Sequence, residues 1–336
     1  MRLLSDVPLS PHTTFQIGGP ADFFVEVSSV SELEEACRFA REKALPLFIL
    51  GGGSNVLVSD AGWRGLAIKI AIGGIERKGS SVRAGAGVSW DELVAFTVGQ
   101  ELWGLENLSG IPGSVGGAVV QNIGAYGAAI SEVFESAEVF DIESGTVRTF
   151  SREECAFDYR DSFFKHDGGK HVVLSASFML SSAPKPNLSY RDLAERFAGM
   201  SPSLAEIREA VLSIRRGKFP DLSKEGTAGS FFKNPILPKA EAVALQSRYP
   251  EMPLFDMPET TGVKVPMGWI LDKVLGLRGH AKGGARLFEK QALVIAAERG
   301  SSAEDVRALA AEVIERVREA CGIELEPEVR IISHSK

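Results

Sequence analysis

Strand-like and helix-like patterns alternate through the first seventy residues. ADFFVEVS, residues 21–28, has the composition of a strand, and SELEEACRFAREK, residues 31–43, has helical periodicity. Ser31 and Glu34 have the spacing of a capping box, which predicts the helix start. The apolar runs LPLFIL and GLAIKI have strand length. This order predicts a small α+β unit.

A second unit is predicted over residues 71–218. The segment ERKGSSV has turn residues between two strand-like runs, which indicates a hairpin. Ser89 and Glu92 have capping-box spacing and predict a helix start. Two further β segments follow. The segment SPSLAEIREAVLSIRRGKFP is expected to be a helix that starts with a capping box, Ser203 to Glu206, and ends before Pro220.

The remainder of the chain is predicted to form another α+β region, with a boundary near Pro220. PKAEAVALQSR has a helical pattern, and a long helix is expected over residues 302–321. Its apolar stripe recurs at helical spacing and is assigned to core packing. The stripe comprises Val306, Leu309, Ala310, Val313, Ile314 and Val317. IELEPEVRIIS, at the end, predicts two short β runs around Pro327.

Two glycine-rich segments interrupt these patterns. GGGSN, residues 51–55, joins two strands and could bring bare backbone N–H groups to a phosphate, although a simple tight turn explains it equally well. GLENLSGIPGSVGGAVVQNIGAYG, residues 104–127, has almost no charge, which makes it a poor solvated loop and a poor core helix, and it is interpreted as wrapping something large and flat. A buried packing corner is the alternative. Neither segment contains a complete GxGxxG, so a Rossmann site is not supported.

Composition narrows the classes of function. A chain of 336 residues with 44% hydrophobic residues predicts two or three folded domains, and a net charge of -7 disfavours nucleic acid as a partner. The three cysteines are isolated, so neither a disulfide framework nor a metal site is expected. No apolar run is long enough for a signal peptide or a membrane span, which predicts a cytoplasmic protein that does not bind membranes.

Four segments place a charged or hydroxyl side chain among turn and apolar residues: DYRDSFFKH, RRGKFPD, AGSFFKNP and LEPEVR. Taken singly, each has an ordinary explanation. Arg160 could pair with Asp161, Ser230 could cap a turn, and Glu328 could be a solvated charge at an edge. The single segments therefore do not establish a reaction.

Together, the segments resemble the UDP-N-acetylenolpyruvoylglucosamine reductase family. GGGSN, the long glycine-rich segment, DYRDSFFKH, GSFFKNP, MGWILD, KQALV and LEPEVR occur in the family's order over residues 12–334. The resemblance implies an α+β fold of three domains, two of which form a vanillyl-alcohol-oxidase-type (PCMH-type) FAD-binding module. It implies subdomain 1 at 1–70 with the C-terminal strand 325–336, subdomain 2 at 71–218, and an α+β substrate-binding domain at 219–324.

The family's reaction implies roles for three residues. NADPH reduces FAD, which then passes a hydride to the enolpyruvyl ether of UDP-N-acetylglucosamine enolpyruvate, giving UDP-N-acetylmuramate for peptidoglycan. Arg160 would bind the substrate carboxylate as negative charge develops. Glu328 would assist as a neutral acid that donates a hydrogen bond, since an anion would repel that charge. Ser230 would donate a proton to the adjacent carbon.

The resemblance also assigns binding residues. The residues expected at FAD are Gly51, Gly53, Ser54, Asn55, Gly117, Gly124, Arg215 and Arg330. Those expected at the substrate are Tyr190, Lys218, Asn234 and Gln291. Tyr190 lies in the loop of the family's longer form, whereas Phe255 and Asp256 replace a tyrosine that some longer members have near the uridine. No histidine lies in either glycine-rich segment, so the FAD is expected to be non-covalent.

Two other functions are compatible with the sequence. One is a sugar or alcohol oxidase of the same fold that uses oxygen, and the other is a nucleotide-sugar-binding protein without catalysis. Retention of Arg160, Ser230 and Glu328 disfavours the second. The expected partners are the UDP-sugar substrate and NADPH, with the chain acting as a monomer.

Overall fold

The computed structural model describes residues 1–257 and 262–333. Contacts group the chain into two compact units. The first comprises Met1–Val7, Pro20–Gly53 and Trp63–Arg216, and the second comprises Pro8–Gly19, Ser54–Gly62 and Gly217–Lys336. Residues 258–261 of the predicted third domain and 334–336 of the predicted C-terminal strand lie outside the described residues. The three-domain boundaries stay a prediction.

Both units combine short strands with helices. The strands are β1 (Leu4–Pro8), β2 (Pro20–Val27), β3 (Leu47–Leu50), β4 (Val56–Val58), β5 (Trp63–Ile70), β6 (Ile75–Lys78), β7 (Ser81–Gly85), β8 (Gly124–Ala125), β9 (Ala128–Ala129), β10 (Phe134–Asp141), β11 (Val147–Ser151), β12 (His171–Met179), β13 (Ile236–Pro238), β14 (Phe255–Asp256), β15 (Gly262–Lys264), β16 (Ala281–Lys282), β17 (Ala285–Phe288), β18 (Gln291–Ala297) and β19 (Arg330–Ile332). The helices are α1 (Val30–Glu42), α2 (Trp90–Gly99), α3 (Val115–Gln121), α4 (Arg191–Arg196), α5 (Leu204–Lys218), α6 (Lys239–Arg248), α7 (Met267–Trp269) and α8 (Ala303–Cys321). A π-helical turn, Ile270–Val274, follows α7.

The first sheet of unit 1 has the strand order β1-β2-β5-β3, in which β2 and β3 both run parallel to β5. Leu66 and Ile68 of the central strand are fully buried. Helix α1 connects β2 to β3 and packs a face containing Leu33 and Ala36 into the same core. The predicted α+β unit with strands at ADFFVEVS, LPLFIL and GLAIKI is confirmed.

Helix α1 starts earlier than its predicted capping box. Its N-cap is Ser29, whose Oγ accepts a hydrogen bond from the backbone N–H of Glu32. The Glu32 carboxylate in turn accepts a hydrogen bond from the N–H of Ser28 at 2.7 Å. The prediction of Ser31 and Glu34 was wrong because two Ser–Glu pairs with the same spacing overlap in this segment. The earlier pair forms.

The second sheet of unit 1 is antiparallel, with the order β11-β10-β12-β7-β6. Strands β6 and β7 form the hairpin predicted at ERKGSSV. Helix α2 begins after Ser89 as predicted, but the Ser89 side chain makes no capping hydrogen bond. The capping box predicted at the start of α5 does form, with reciprocal hydrogen bonds between Ser203 and Glu206.

A charged pair links α2 to α5 in unit 1. Two guanidinium nitrogens of Arg208 donate to the carboxylate of Asp91 at 2.6 and 2.9 Å, and the N–H of Gly110 donates to it at 2.6 Å. Burial alone would raise the pKa of Asp91, but these hydrogen bonds hold the pKa below its ordinary value of 3.8. The pair therefore stabilises the folded state at neutral pH.

Replacing this carboxylate should destabilise the protein. Asp91→Asn is expected to lower the free energy of unfolding by about 1–2 kcal/mol, an estimate discounted because the Asp91 side chain is 36% exposed. Since folding lowers the pKa of Asp91, its contribution is lost as pH falls through the folded-state pKa. The difference from wild type in urea denaturation should thus shrink below about pH 4.

A more exposed ion pair provides the control for this prediction. The side chains of Arg191 and Glu195 are 84% and 64% exposed and lie 2.8 Å apart. Glu195→Gln should leave the free energy of unfolding unchanged within the error of the measurement. Equal effects of the two substitutions would contradict the importance assigned to Asp91.

Unit 2 contains the antiparallel sheets β13-β15-β14 and β16-β17-β18, and β19 pairs in parallel with β4. Ser302 caps α8 through a capping box with Asp305, and the predicted stripe packs into the core of the unit, with Ile314 only partly buried. Of the two β runs predicted around Pro327, only the second forms a strand, β19. Residues 323–326 are not a strand, and only Pro327 forms an isolated bridge, with Phe232.

The cysteines pack as apolar residues. Burial raises the pKa of the Cys37 thiol to about 11 and, together with the nearby Glu154 charge, that of Cys155 to about 12. Such thiols stay protonated and unreactive at neutral pH. Within residues 1–257 and 262–333, no helix has both the length and the apolar character needed to cross a bilayer.

Candidate active site

The two glycine-rich segments meet in unit 1. The Oγ of Ser114 accepts hydrogen bonds from the N–H groups of Gly52 at 3.2 Å and Gly117 at 3.5 Å. A Cβ on Gly52 would lie 2.6 Å from the Cα of Gly113, and a Cβ on Gly51 would lie 2.7 Å from Ser114 Oγ. Side chains cannot be accommodated there. Backbone without side chains allows a pyrophosphate to approach closely, so these loops fit FAD.

The long glycine-rich segment does contain a helix, which corrects the interpretation that it is a poor core helix. Val115 and Val119 of α3 are fully buried, and Ser114 is its N-cap. A Cβ on Gly116 would lie 2.9 Å from the Cβ of Ala86. Glycine therefore occupies this helical position despite its low helix propensity, because a larger residue would prevent the close packing. Gly116 therefore fits the alternative interpretation of this segment, a buried packing corner.

Arg160 lies in unit 1 in a tight turn. The turn, residues 158–161, is closed by reciprocal backbone hydrogen bonds between Asp158 and Asp161 of 3.1 and 3.0 Å. The guanidinium of Arg160 donates to the carbonyl of Gly124, and its centre lies 5.5 Å from the centroid of the Tyr159 ring. The structure thus brings together Gly124, expected at FAD, and Arg160, expected to be catalytic.

Arg215 and Tyr190 are connected through Tyr126, also in unit 1. The Arg215 guanidinium donates a hydrogen bond to the Tyr126 hydroxyl, while burial lowers the pKa of Arg215. The Tyr126 ring, only 7% exposed, contacts the Tyr190 ring edge-on, with centroids 5.0 Å apart. A residue expected at FAD and one expected at the substrate therefore share a neighbour that the sequence interpretation did not single out.

Ser230 and Glu328 lie near each other in unit 2. Ser230 forms an isolated bridge with Val294 of β18, and the N–H of Phe231 donates to the carbonyl of Leu293 at 2.8 Å. On the other side, the N–H of Glu328 donates to the carbonyl of Phe231 at 2.7 Å. Both predicted catalytic residues of this unit are therefore half-buried on adjoining extended segments.

Asn55 joins the same part of unit 2. Its Nδ2 donates to the carbonyl of Glu328 at 3.1 Å, and its own carbonyl accepts from the N–H of Arg330 at 3.0 Å. Ser54 occupies the adjoining turn before β4. Asn55, at the end of the GGGSN loop, thus fixes the backbone that carries Glu328 and Arg330, although the loop is far from these two residues in sequence.

Two of the predicted substrate residues converge on the start of α7 in unit 2. The Oδ1 of Asn234 accepts from the N–H of Met267 at 2.9 Å. A Cβ on Gly268 would lie 2.9 Å from the Oε1 of Gln291, so this glycine allows the amide to approach closely. Lys218 is the last residue of α5. Phe255 and Asp256, which replace the tyrosine of some longer members, form β14, and both are exposed.

Further polar residues support unit 1 and were not singled out from the sequence. Asn107 is 1% exposed, and its Nδ2 donates to the carbonyls of Tyr126 at 2.7 Å and Asn187 at 2.9 Å. It therefore ties the Tyr126 turn to the loop that carries Tyr190. The available signal was an asparagine within an uncharged, largely apolar segment, because a buried amide requires partners.

Two family models match the chain. A model described as "FAD binding domain" matches residues 21–151. A model described as "UDP-N-acetylenolpyruvoylglucosamine reductase, C-terminal domain" matches residues 221–332. The first match includes the glycine-rich loops and the second includes Ser230 and Glu328, whereas Arg160, Tyr190, Arg215 and Lys218 lie between the two matched ranges.

Full-length relatives carry the same family name. UDP-N-acetylenolpyruvoylglucosamine reductase from Burkholderia vietnamiensis is 39% identical over 98% of this chain and 96% of its own. The reductase from Paraburkholderia xenovorans is 40% identical over 97% and 96%. The chain belongs to the UDP-N-acetylenolpyruvoylglucosamine reductase family. The resemblance stated from the sequence motifs is thereby confirmed.

Solved structures agree on the fold. The crystal structure of UDP-N-acetylenolpyruvylglucosamine reductase from Thermus caldophilus has a TM-score of 0.71 and 27% identity, covering 99% of this chain and all of its own. 6-Hydroxy-D-nicotine oxidase from Arthrobacter nicotinovorans has a TM-score of 0.54 at 14% identity, covering 95% and 86%. At that identity, the oxidase shows the fold alone. The chain thus has the predicted α+β fold, with an FAD-binding domain.

Proposed function

We propose that this protein reduces UDP-N-acetylglucosamine enolpyruvate to UDP-N-acetylmuramate with FAD and NADPH. The observation that carries the proposal is 39% identity to a reductase of that name over 98% of the chain. The product is a peptidoglycan precursor, so the proposal includes a role in cell-wall synthesis and, through it, in cell shape and division. We place the step in the cytoplasm, where UDP-sugars and NADPH are made, and expect a monomer.

The proposed mechanism uses three side chains. When bound, FAD supplies the hydride that adds to the substrate's methylene carbon, after taking it from NADPH. The electron pair of the double bond then moves toward the carboxylate, where Arg160 donates charged hydrogen bonds. Glu328 is proposed to assist the same step. Ser230 protonates the carbon that bears the ether oxygen and regains its proton from solvent.

The binding roles form the second part of the proposal. The close approach of Gly52 to Gly113, where no side chain can stand, supports the assignment of the GGGSN loop and Gly117 to FAD. The Tyr190 loop, tied down through Asn107, supports assignment to the family's longer form. Lys218, Asn234 and Gln291 are proposed to contact the substrate, and the predicted three-domain boundaries are proposed to hold.

Anaerobic rapid mixing tests the function. NADPH should bleach the flavin absorbance, and UDP-N-acetylglucosamine enolpyruvate should restore it with formation of UDP-N-acetylmuramate. Reoxidation by oxygen at catalytic rates with a sugar or alcohol as reductant would instead favour the oxidase alternative. A purified protein without flavin would contradict both enzymatic functions.

The flavin should be released intact by denaturation. No histidine lies in either glycine-rich segment, and burial keeps the thiols of Cys37 and Cys155 protonated, so the usual tethering groups are absent or unreactive there. Acid or heat precipitation should leave all the flavin in the supernatant as FAD, measured by absorbance and chromatography. Flavin remaining with the precipitated protein would show that a covalent bond exists.

Tyr190→Ala should weaken substrate binding without slowing flavin reduction by NADPH. Aromatic contacts contribute about 0.5–1.5 kcal/mol, so the Kd for the UDP substrate should rise by about threefold to tenfold. Tyr190→Phe is the matched control because it keeps the edge-on contact with Tyr126 and removes only the hydroxyl. Calorimetric titration measures both. An unchanged Kd for the alanine variant would contradict a substrate role for this loop.

A further inference from the structure

Arg160 has a backbone conformation that it does not favour intrinsically. Its φ is +54°, in the left-handed region that is uncommon for residues other than glycine, asparagine and aspartate. It is the third residue of the turn 158–161, a position at which some tight turns require a positive φ. A strained residue persists only where its surroundings hold it. The groups that hold this turn therefore determine where the guanidinium points.

Two buried side chains anchor the turn to the end of α3. The Oγ of Ser162 donates to the carbonyl of Val120 at 2.6 Å, and the Nδ2 of Asn122 donates to the carbonyl of Asp158 at 2.8 Å. Ser162 is 1% exposed and Asn122 is 6% exposed. Because water has little access, it cannot readily replace these hydrogen bonds if they are lost. One bond lies on each side of Arg160 in sequence.

The Asn122 backbone has a conformation that favours glycine. Asn122 ends α3 with a φ of +44°, which glycine adopts more readily than asparagine. What asparagine provides and glycine does not is the Nδ2 bond to Asp158. The amide is therefore explained by its contact with the turn.

We propose that Asn122 and Ser162 are positioning residues that hold the Arg160 turn against α3 and thereby direct its guanidinium. The proposal rests on the catalytic role proposed above for Arg160. The hydrogen bond from Arg160 to the carbonyl of Gly124 marks the resulting orientation. Misplacing a catalytic group by about 1 Å can slow a reaction about a hundredfold. Loosening the turn should thus reduce the rate with bound substrate, not flavin reduction by NADPH.

Three variants separate this role from general destabilisation. Asn122→Gly keeps the left-handed backbone and removes the amide, and Ser162→Ala removes the other anchor. Ser175→Ala is the matched control, a serine of unit 1 that is 2% exposed and donates to the Glu138 carboxylate at 2.8 Å, away from the turn. Reoxidation by saturating substrate should slow about tenfold to a hundredfold in the first two variants and stay near wild type in the control.

A double-mutant cycle tests whether the two residues act through Arg160. In an Arg160→Ala background, Asn122→Gly and Ser162→Ala should cause little further loss, because no guanidinium remains to be positioned. A full additional loss in that background would overturn the proposal, as would wild-type reoxidation rates in both single variants. If Asn122→Gly fails to fold, Ser162→Ala still decides the question.

Hydrogen exchange provides a readout that does not depend on activity. Amides in a peptide covering residues 157–163 should exchange faster in Asn122→Gly and Ser162→Ala than in wild type or Ser175→Ala. Unchanged exchange in both variants would overturn the proposal. If wild-type protein is not reoxidised by UDP-N-acetylglucosamine enolpyruvate, the proposed function fails, and the exchange measurement still determines whether these side chains hold the turn.

Discussion

Ser230→Ala should leave flavin reduction by NADPH intact and slow reoxidation by substrate by about 10²- to 10⁴-fold, the range of a positioned general acid. No substrate proton moves in the first half-reaction, whereas the second cannot finish without one. The backbone around Ser230 is held by Leu293 and Glu328 through Phe231, which is fully buried. Removing the hydroxyl should therefore leave the fold unchanged.

Substrate affinity distinguishes the catalytic role from a binding role. A hydroxyl that acts after hydride addition should affect the rate and leave the Kd nearly unchanged. Ser230→Cys keeps a proton donor and should recover part of the rate. Ser247→Ala is a matched control in unit 2, because Ser247 donates to a carbonyl at 3.0 Å on α6. Wild-type reoxidation by Ser230→Ala would assign the serine a structural role.

The first sheet was predictable because its strands have local signals. Strands β2, β3 and β5 are short, apolar or alternating segments separated by turns and one amphipathic helix. The start of α1 was less predictable, since Ser29 and Ser31 each precede a glutamate at the same spacing. In the structure Ser29 is the cap, and the local spacing alone does not distinguish it from Ser31.

The helix within the long glycine-rich segment could not be predicted by propensity. Gly116 and Gly117 weaken a helix locally, and the compensation comes from close contact with Ala86 and from the Ser114 cap. Ala86 belongs to a different part of the chain. The local pattern therefore indicated that the segment has an unusual role, but it did not predict the helix that the segment forms.

The sequence predicted which residues form the candidate site. It did not predict which other residues hold them in place. The family motifs supplied Ser230 and Glu328, and their proximity results from Phe231 pairing on both sides across long sequence separations. The contact between Asn122 and Asp158 has no motif of its own. Such supports become visible only when the fold brings the segments together.

Arg160→Ala should slow reoxidation by substrate about 10²- to 10³-fold, the effect of removing a hydrogen-bond donor aimed at developing negative charge. Flavin reduction by NADPH should be unchanged. Arg160→Lys is the informative comparison, because lysine keeps the positive charge and, like arginine, is disfavoured at a φ of +54°. Differences between the lysine variant and wild type therefore report on the guanidinium and not on backbone strain.

The lysine variant should recover only part of the rate lost in Arg160→Ala. An ammonium group cannot reproduce the planar, two-pronged donation of a guanidinium to a carboxylate. Its three N–H donors all lie on one nitrogen, so it reaches both the Gly124 carbonyl, which Arg160 contacts, and the substrate less well than a guanidinium, whose donors lie on three nitrogens. Rapid-mixing rates at saturating substrate measure this recovery. Full activity in Arg160→Lys would mean that charge alone suffices, and wild-type activity in Arg160→Ala would remove the residue from the mechanism.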